Sequence, residues 1–211
     1  MKTRILAVLA ATLLAGFSVP TTAAGHGAPA GGNGPLRTVG AAVSVAPLTA
    51  EEVDDLLWMR EEEKMARDVY LALYDIWQDR IFNNIARSEQ RHFDAIGVKI
   101  AYFNLTDPAL PGIGLFANTE LQLLHDSLLS TGGQSFVQAL TAGARIEDRD
   151  IADLLAAIEA TTNPALRSTY GNLLEGSKNH LRAFVGRLRA LGEDYTPQYI
   201  DPVLFDAIVG D

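Results

Sequence analysis

Long stretches of the chain carry an apolar residue at every third or fourth position, and short stretches rich in glycine, proline and polar residues separate them. This spacing keeps apolar side chains on one face of an α-helix. Four long stretches follow it, at about residues 49–78, 80–103, 134–160 and 163–191. The pattern therefore predicts an all-α fold in which four helices pack their apolar faces together as a four-helix bundle.

Two of these helices begin at recognisable capping residues. Thr49 is followed three residues later by Glu52, which is the spacing of a capping box. Asn163 stands directly before Pro164, and proline is favoured in the first turn of a helix. These residues set the predicted starts of the first and last long helices.

The connection between the second and third long helices, residues 104–133, is much longer than an antiparallel hairpin needs. Its first half is broken by Pro108, Pro111, Gly112 and Gly114, and a short helix is predicted from about Asn118 to Ser130. A connection of this length lets the third long helix run parallel to the second. We therefore expect a long crossover that carries a short extra helix.

The N-terminal part of the chain is distinct from the bundle. Residues 1–24 have a basic start, an apolar run and small residues at the end, which is typical of a secretory signal peptide. Residues 25–47 are rich in Gly, Ala and Pro and are interpreted as a flexible linker. The bundle domain is expected at residues 48–211, with a C-terminal tail whose apolar turn at 203–209 docks on it. The protein is thus expected to be exported, to the periplasm or the extracellular space.

The composition limits the metal ligands and the partners that the chain can have. The chain contains no cysteine, so disulfides and thiolate metal ligands are excluded. Its formal net charge is −9, and removal of Lys2 and Arg4 with the signal peptide takes it to −11, which argues against nucleic acid as a partner. No stretch after the signal peptide is long and apolar enough to predict a transmembrane helix.

Each of the four long helices places polar residues in the middle of its apolar face. These residues are Glu63 on the first, Glu89 and His92 on the second, Glu147 and Asp150 on the third, and Ser177 and His180 on the fourth. Buried carboxylates repel one another strongly unless cations lie between them. Carboxylate and imidazole ligands suit iron or manganese. Glu61 and Glu62 lie off the apolar face and are expected in solvent.

At these residues the chain resembles the ferritin-like di-metal carboxylate proteins, in which two helices supply a Glu each and two supply Glu-x-x-His. Glu63-Lys64-Met65-Ala66-Arg67-Asp68-Val69-Tyr70 looks like the first helix of rubrerythrins, and Glu89-Gln90-Arg91-His92 matches the second-helix motif. The run from Leu48 to about Leu191 is also similar to an uncharacterised family of bacterial and archaeal ferritin-like domains. The resemblance implies a ferritin-like bundle with a di-iron or iron/manganese site.

One position departs from the superfamily pattern. Ser177 stands where the resemblance implies a Glu three residues before the last histidine. Asp150, one turn beyond Glu147, is the predicted replacement. The predicted metal ligands are therefore Glu63, Glu89, His92, Glu147, Asp150 and His180.

Two functions remain open from the sequence. The first is a di-iron oxidoreductase of ferroxidase or peroxidase type, which reacts with O₂ or peroxide or oxidises ferrous iron and takes any further electrons from an external donor. The second is a binding module of the cell envelope that sequesters metal, or that holds none and binds another protein. A homodimer is compatible with either function.

Overall fold

The computed structural model describes residues 47–210, which form six α-helices and no strand. The helices are α1 (Ala50–Trp77), α2 (Arg80–Tyr102), α3 (Thr119–Gly132), α4 (Phe136–Ala160), α5 (Pro164–Ala190) and α6 (Pro202–Val209). The all-α prediction is confirmed. The predicted signal peptide, and the predicted linker up to residue 46, lie outside the described residues.

The capping residues act as their sequence predicts. The Thr49 hydroxyl accepts a hydrogen bond from the Glu52 amide at 3.1 Å, and the Thr49 amide donates one to the Glu52 carboxylate at 2.9 Å. At the start of α5, the Asn163 side chain accepts from the Ala165 and Leu166 amides, and Pro164 occupies the first turn. These contacts satisfy amides that have no partner within the helix.

Contacts between α1, α2 and α4 define the directions of these helices. Arg60 on α1 contacts Phe93 on α2, and Arg67, two turns further along α1, contacts Gln90. The two helices are therefore antiparallel. Glu62 meets Arg149 and Tyr70 meets Gly143, so α1 and α4 are antiparallel as well. It follows that α2 and α4 run in the same direction, and that the chain between them returns along the bundle.

Side chains of α1 hold this returning segment in place. The hydrogen bonds run from the Ala117 and Asn118 amides to Glu61, from the Gly114 amide to Asp68, and from the Lys64 ammonium group to the Gly112 and Leu115 carbonyl oxygens. The predicted solvent position of Glu61 is wrong, because its side chain binds backbone amides beneath the crossover. Polar and charged side chains of α1 thus fix the segment that connects α2 to α4.

No helix among residues 47–210 combines the length and the apolar character that crossing a bilayer requires.

The bundle core is packed so closely at one glycine that we predict a large effect of a single methyl group. A Cβ atom at Gly143 would lie 2.5 Å from the Phe184 ring. Because that ring is fully buried and also contacts Tyr70 and Phe82, it has little room to move. Gly143→Ala should lower the free energy of unfolding by about 1–3 kcal/mol.

Urea denaturation of matched variants tests this prediction. Gly186 is also helical, but a Cβ there meets nothing within 4 Å. Gly186→Ala should therefore be neutral or stabilise by about 0.5–1 kcal/mol through helix propensity. Equal unfolding free energies for the two variants would contradict the close packing at Gly143.

Candidate metal centre

Glu89 lies between two histidines. Its Oε2 atom is 2.7 Å from the Nδ1 atom of His92, which shares its face of α2 three residues later. Its Oε1 atom is 2.7 Å from the Nδ1 atom of His180 on α5. One carboxylate therefore faces two imidazoles that come from different helices.

A further carboxylate completes the surroundings of each histidine. Glu63 Oε2 on α1 is 3.4 Å from His92 Nδ1, and Glu147 Oε2 on α4 is 3.4 Å from His180 Nδ1. Glu63, Glu89 and His92 form one group, and Glu89, Glu147 and His180 form another; in each group the candidate ligand atoms lie within 4.8 Å of one another. We call these five residues the Glu89 cluster. All four long helices contribute to it.

Several polar atoms of the cluster have no hydrogen-bond partner, although they lie close to one another. The Nδ1 atoms of His92 and His180 and the Oε1 atoms of Glu63 and Glu89 are buried and have no hydrogen-bond partner. His180 Nδ1 and Glu89 Oε1 lie 2.7 Å apart without a hydrogen bond between them. Donor atoms that crowd together without bonding to each other fit ligands arranged around an ion.

Burial controls the electrostatics of the three carboxylates. Glu63, Glu89 and Glu147 are each only 1% exposed. Burial raises the pKa of Glu63 to about 7 against the opposing effect of His92, and burial together with the Glu89 charge raises the pKa of Glu147. Burial also acts to raise the pKa of Glu89, but His180 and His92 outweigh it and the pKa is lowered.

The two histidines show the opposite balance. Burial alone would lower their pKa values, but the adjacent carboxylates outweigh it. Glu63 and Glu89 raise the pKa of His92 to about 12, and Glu147 and Glu89 raise the pKa of His180 to about 10. In the metal-free chain both rings thus carry protons at neutral pH, where these protons partly neutralise the acids.

Tyr70 orients one of the carboxylates. Its hydroxyl donates to Glu147 Oε1 at 2.5 Å, and the Gly143 carbonyl oxygen lies 3.3 Å from the same hydroxyl. Burial, followed by the charges of Glu147 and Glu89, raises the pKa of Tyr70 well above its ordinary value. The tyrosine is therefore a neutral donor that leaves Glu147 Oε2 facing His180.

Asp150 lies outside both groups. The Ser177 hydroxyl donates a hydrogen bond of 2.5 Å to its Oδ2 atom, while its Oδ1 atom is buried without a hydrogen-bond partner. Burial, with the charges of Glu63, Glu62 and Glu147, raises the pKa of Asp150 well above its ordinary value. The structure thus brings five of the six predicted ligands into two groups, and a ligand role for Asp150 stays a prediction.

Two residues beside the cluster were not predicted. Glu62 was expected in solvent, which is wrong: it is 2% exposed, accepts a hydrogen bond from Trp58 Nε1 at 2.9 Å and lies 3.4 Å from Arg149 Nε. Trp58, four residues earlier on the same helix face, was a sequence signal for its burial. Gly176 leaves room for the His92 ring, because a Cβ atom at this position would lie 2.5 Å from the ring nitrogen Nε2.

Comparisons with known proteins place the chain in a family. The chain is 47% identical over 164 residues to the uncharacterized protein MJ0754 of Methanocaldococcus jannaschii, covering 77% of this chain and 89% of that protein. The crystal structure of the hypothetical protein MJ0754 matches with a TM-score of 0.78 and 45% identity, over 81% of this chain and 98% of the other. The family model described as "Uncharacterized protein domain (DUF2202)" matches residues 52–211, which include the whole Glu89 cluster. The chain therefore belongs to the DUF2202 family.

Proposed function

We propose that the protein is a ferritin-like metalloprotein whose Glu89 cluster holds two ions, of iron or of iron and manganese. The observation that carries this proposal is the position of Glu89, whose two oxygens each lie 2.7 Å from a different histidine in two groups that share it. Glu89 would therefore be among the residues that hold each of the two ions. Packing alone does not explain why a buried carboxylate lies against two imidazoles from different helices.

The donor set fits these metals. Glu63 and His92 would hold one ion, Glu147 and His180 the other, and Glu89 would join them. Oxygen and nitrogen donors suit iron and manganese, and the sequence contains no cysteine that would favour a softer ion. Ser177 in place of an acid leaves fewer candidate ligands than the superfamily supplies, so a bound ion would have room for a small molecule.

The proposed reaction is the reduction of O₂ or peroxide, with electrons taken from ferrous iron or from an external donor. When bound, the two ions supply the redox change. The fold would exclude water from the position of the ions, since Glu63, Glu89 and Glu147 are each 1% exposed. Tyr70 holds Glu147 in place by a hydrogen bond. Without a cysteine-bound iron module, further electrons would come from an external donor or from the metal substrate.

Export to the periplasm or the extracellular space belongs to the same proposal. It rests on the sequence of residues 1–24 alone.

Anaerobic titration with ferrous iron, followed by addition of O₂ or hydrogen peroxide, tests the function. We expect two ions per chain, one for each group, and consumption of one of the oxidants. Two bound ions without oxidant consumption would leave a metal-sequestering module. Absence of binding would leave a metal-free interaction module and overturn the proposal.

Metal binding should release protons, because His92 and His180 must lose theirs before they can act as ligands. Their pKa values of about 12 and about 10 lie above neutral pH, so each ion displaces one histidine proton. The apparent affinity for each ion should therefore rise at least about tenfold per pH unit between about pH 7 and pH 9. Calorimetric titration with Co²⁺ in buffers of different ionisation enthalpy measures the released protons.

His180→Ala provides the comparison for this prediction. The variant should release about one proton fewer in total. An affinity that does not change with pH would show that the imidazoles are not ligands.

A further inference from the structure

A continuous series of packed aromatic rings runs through the bundle from Tyr70 to Trp77. The ring centroids of Tyr70 and Phe184 are 5.3 Å apart, and those of Phe184 and Phe82 are 6.0 Å apart. The Phe136 ring lies 6.2 Å from Phe82 and 6.0 Å from Trp77. Each distance is within the range of about 4.5–7 Å at which aromatic rings contact one another. We call these five residues the aromatic series, and all four long helices contribute to it.

The inner end of the aromatic series reaches the Glu89 cluster. The Tyr70 hydroxyl donates a hydrogen bond of 2.5 Å to Glu147 Oε1, and the Tyr70 side chain is fully buried. Phe184 and Phe82 are fully buried as well. Tyr70 thus contacts a residue of the cluster directly, and the two rings that follow it are shielded from solvent.

The outer end of the series lies at the C-terminus of α1, where Trp77 is partly exposed. Its indole Nε1 donates a hydrogen bond of 2.9 Å to the Gly132 carbonyl oxygen, which holds the ring beside Phe136. Trp77 follows Tyr70 by seven residues, which is about 10 Å along a helix axis. The series therefore connects the cluster to the protein surface over a short distance.

The residues at the two ends of the series differ chemically from those between them. Tyrosine and tryptophan can each lose one electron to a strong oxidant, whereas phenylalanine is much harder to oxidise. The other tryptophan of the chain, Trp58, lies 5.2 Å from the Arg149 guanidinium group but contacts no other aromatic ring among residues 47–210. Packing accounts for the three phenylalanines, but it does not require one oxidisable ring at the cluster and another at the surface.

We propose that Tyr70 and Trp77 relay single electrons from a small one-electron donor at the surface to the Glu89 cluster, with the phenylalanine rings of the series packed between them. The relay rests on the proposed function, since it requires a metal centre that peroxide oxidises. The rate of electron tunnelling falls steeply with distance, so two intermediate oxidisable groups make the transfer faster than a single step from the surface. The relay is thus the path of the external electrons that the proposed reaction needs.

Each electron moves in two steps. Tyr70 gives one electron to the oxidised centre, while its hydroxyl proton moves to Glu147 Oε1 along the hydrogen bond between them. Trp77 then gives an electron to Tyr70, which takes its proton back from Glu147, and the external donor reduces Trp77. Two such transfers, with two protons from solvent, reduce one molecule of hydrogen peroxide to two of water.

The test locates the oxidised residue by mass spectrometry. The full chain is loaded with ferrous iron without oxygen, freed of unbound iron, and mixed with excess hydrogen peroxide and a nitrone spin trap in the absence of a donor. We expect a trap adduct on Trp77, because no donor returns the electron that it has lost. Tyr70→Phe removes the inner oxidisable group and should abolish this adduct. The iron content of Tyr70→Phe is measured alongside, because Tyr70 also orients Glu147.

Substitutions at the two tryptophans form a matched set. Trp77→Phe should lose the adduct and slow the peroxide-dependent oxidation of ascorbate, whereas Trp77→Tyr, which keeps an oxidisable ring, should retain both. Trp58→Phe makes the same chemical change outside the aromatic series and should match the unmodified chain. All three variants should bind two ions, because neither tryptophan has a polar or ring contact with the Glu89 cluster among residues 47–210.

The outcomes separate the relay from the proposed function. No iron binding or no peroxide consumption by the unmodified chain would overturn both. Peroxide consumption without an adduct on Trp77 would overturn the relay alone. An adduct on Trp77 that persists in iron-loaded Tyr70→Phe would do the same, because the indole would then be oxidised from solution. If Tyr70→Phe loses its iron or Trp77→Phe does not fold, the remaining variant decides.

Discussion

Metal binding should fall from two ions per chain to none when Glu89 is replaced by glutamine. The physical reason is that both ligand groups contain this carboxylate and each histidine lies 2.7 Å from one of its oxygens. Glutamine has nearly the same size but supplies neither the negative charge nor two equivalent oxygens. Since loss of a residue that only supports a ligand already costs about 10–100-fold in metal affinity, loss of a shared ligand should exceed 100-fold at both positions.

Glu63→Gln and Glu147→Gln provide the comparison, because each belongs to only one group. Each should retain about one ion per chain. Anaerobic Co²⁺ titration gives the stoichiometry, and circular dichroism shows whether the helices persist. We expect helix content close to that of the unmodified chain, since the apolar faces supply most of the folding energy. One ion retained in Glu89→Gln would mean that the two groups are independent.

Gly176→Ala should weaken binding of the ion of the Glu63 group, although residue 176 has no ligand atom in its side chain. The new Cβ atom would lie 2.5 Å from Nε2 and 2.7 Å from Cε1 of His92, so the ring has to move. Small displacements of a ligand change metal affinity strongly, and we expect a loss of about 10–100-fold at this position. The affinity of the Glu147 group should stay unchanged, so that titration resolves one tightly bound ion and one weakened ion per chain.

Gly171→Ala is the control on the same helix, because a Cβ atom at Gly171 meets nothing within 4 Å. It should bind two ions and gain up to about 1 kcal/mol in unfolding free energy from helix propensity. Crystallography or the paramagnetic NMR shifts of the Co²⁺ form would locate the moved ring. Full stoichiometry and unchanged affinity in Gly176→Ala would show that the His92 ring does not need its present position.

The helices could be predicted because their signals are local. The caps at Thr49 and Asn163 act within a single turn, and the three-and-four spacing of apolar residues identifies the buried faces. The same spacing brought Glu63, Glu89, His92, Glu147 and His180 to inward positions. Their separation into two groups around Glu89 depends on how the helices are placed against one another, which the spacing does not determine.

The prediction from sequence was wrong about burial where a distant segment of the chain covers the residue. Glu61 lies under the crossover near Ala117, and Glu62 lies beneath Arg149 of α4. On α1 alone both residues point away from the main apolar face, where solvent is the ordinary expectation. Asp150 shares a face with Glu147, as predicted, but Ser177 binds its Oδ2 atom, and this contact follows only from the packing of α4 against α5.

Under the proposed function, the wide separation of the cluster residues along the chain would determine when and where metal is acquired. Glu63 and His180 come from the first and last long helices, so a nascent or unfolded chain contains no cluster that could select an ion. In the folded chain, two bound ions would link four helices and would stabilise the folded state against global unfolding by mass action. Because affinity alone discriminates poorly among divalent metals, the ions supplied where folding finishes would decide which metal the protein carries.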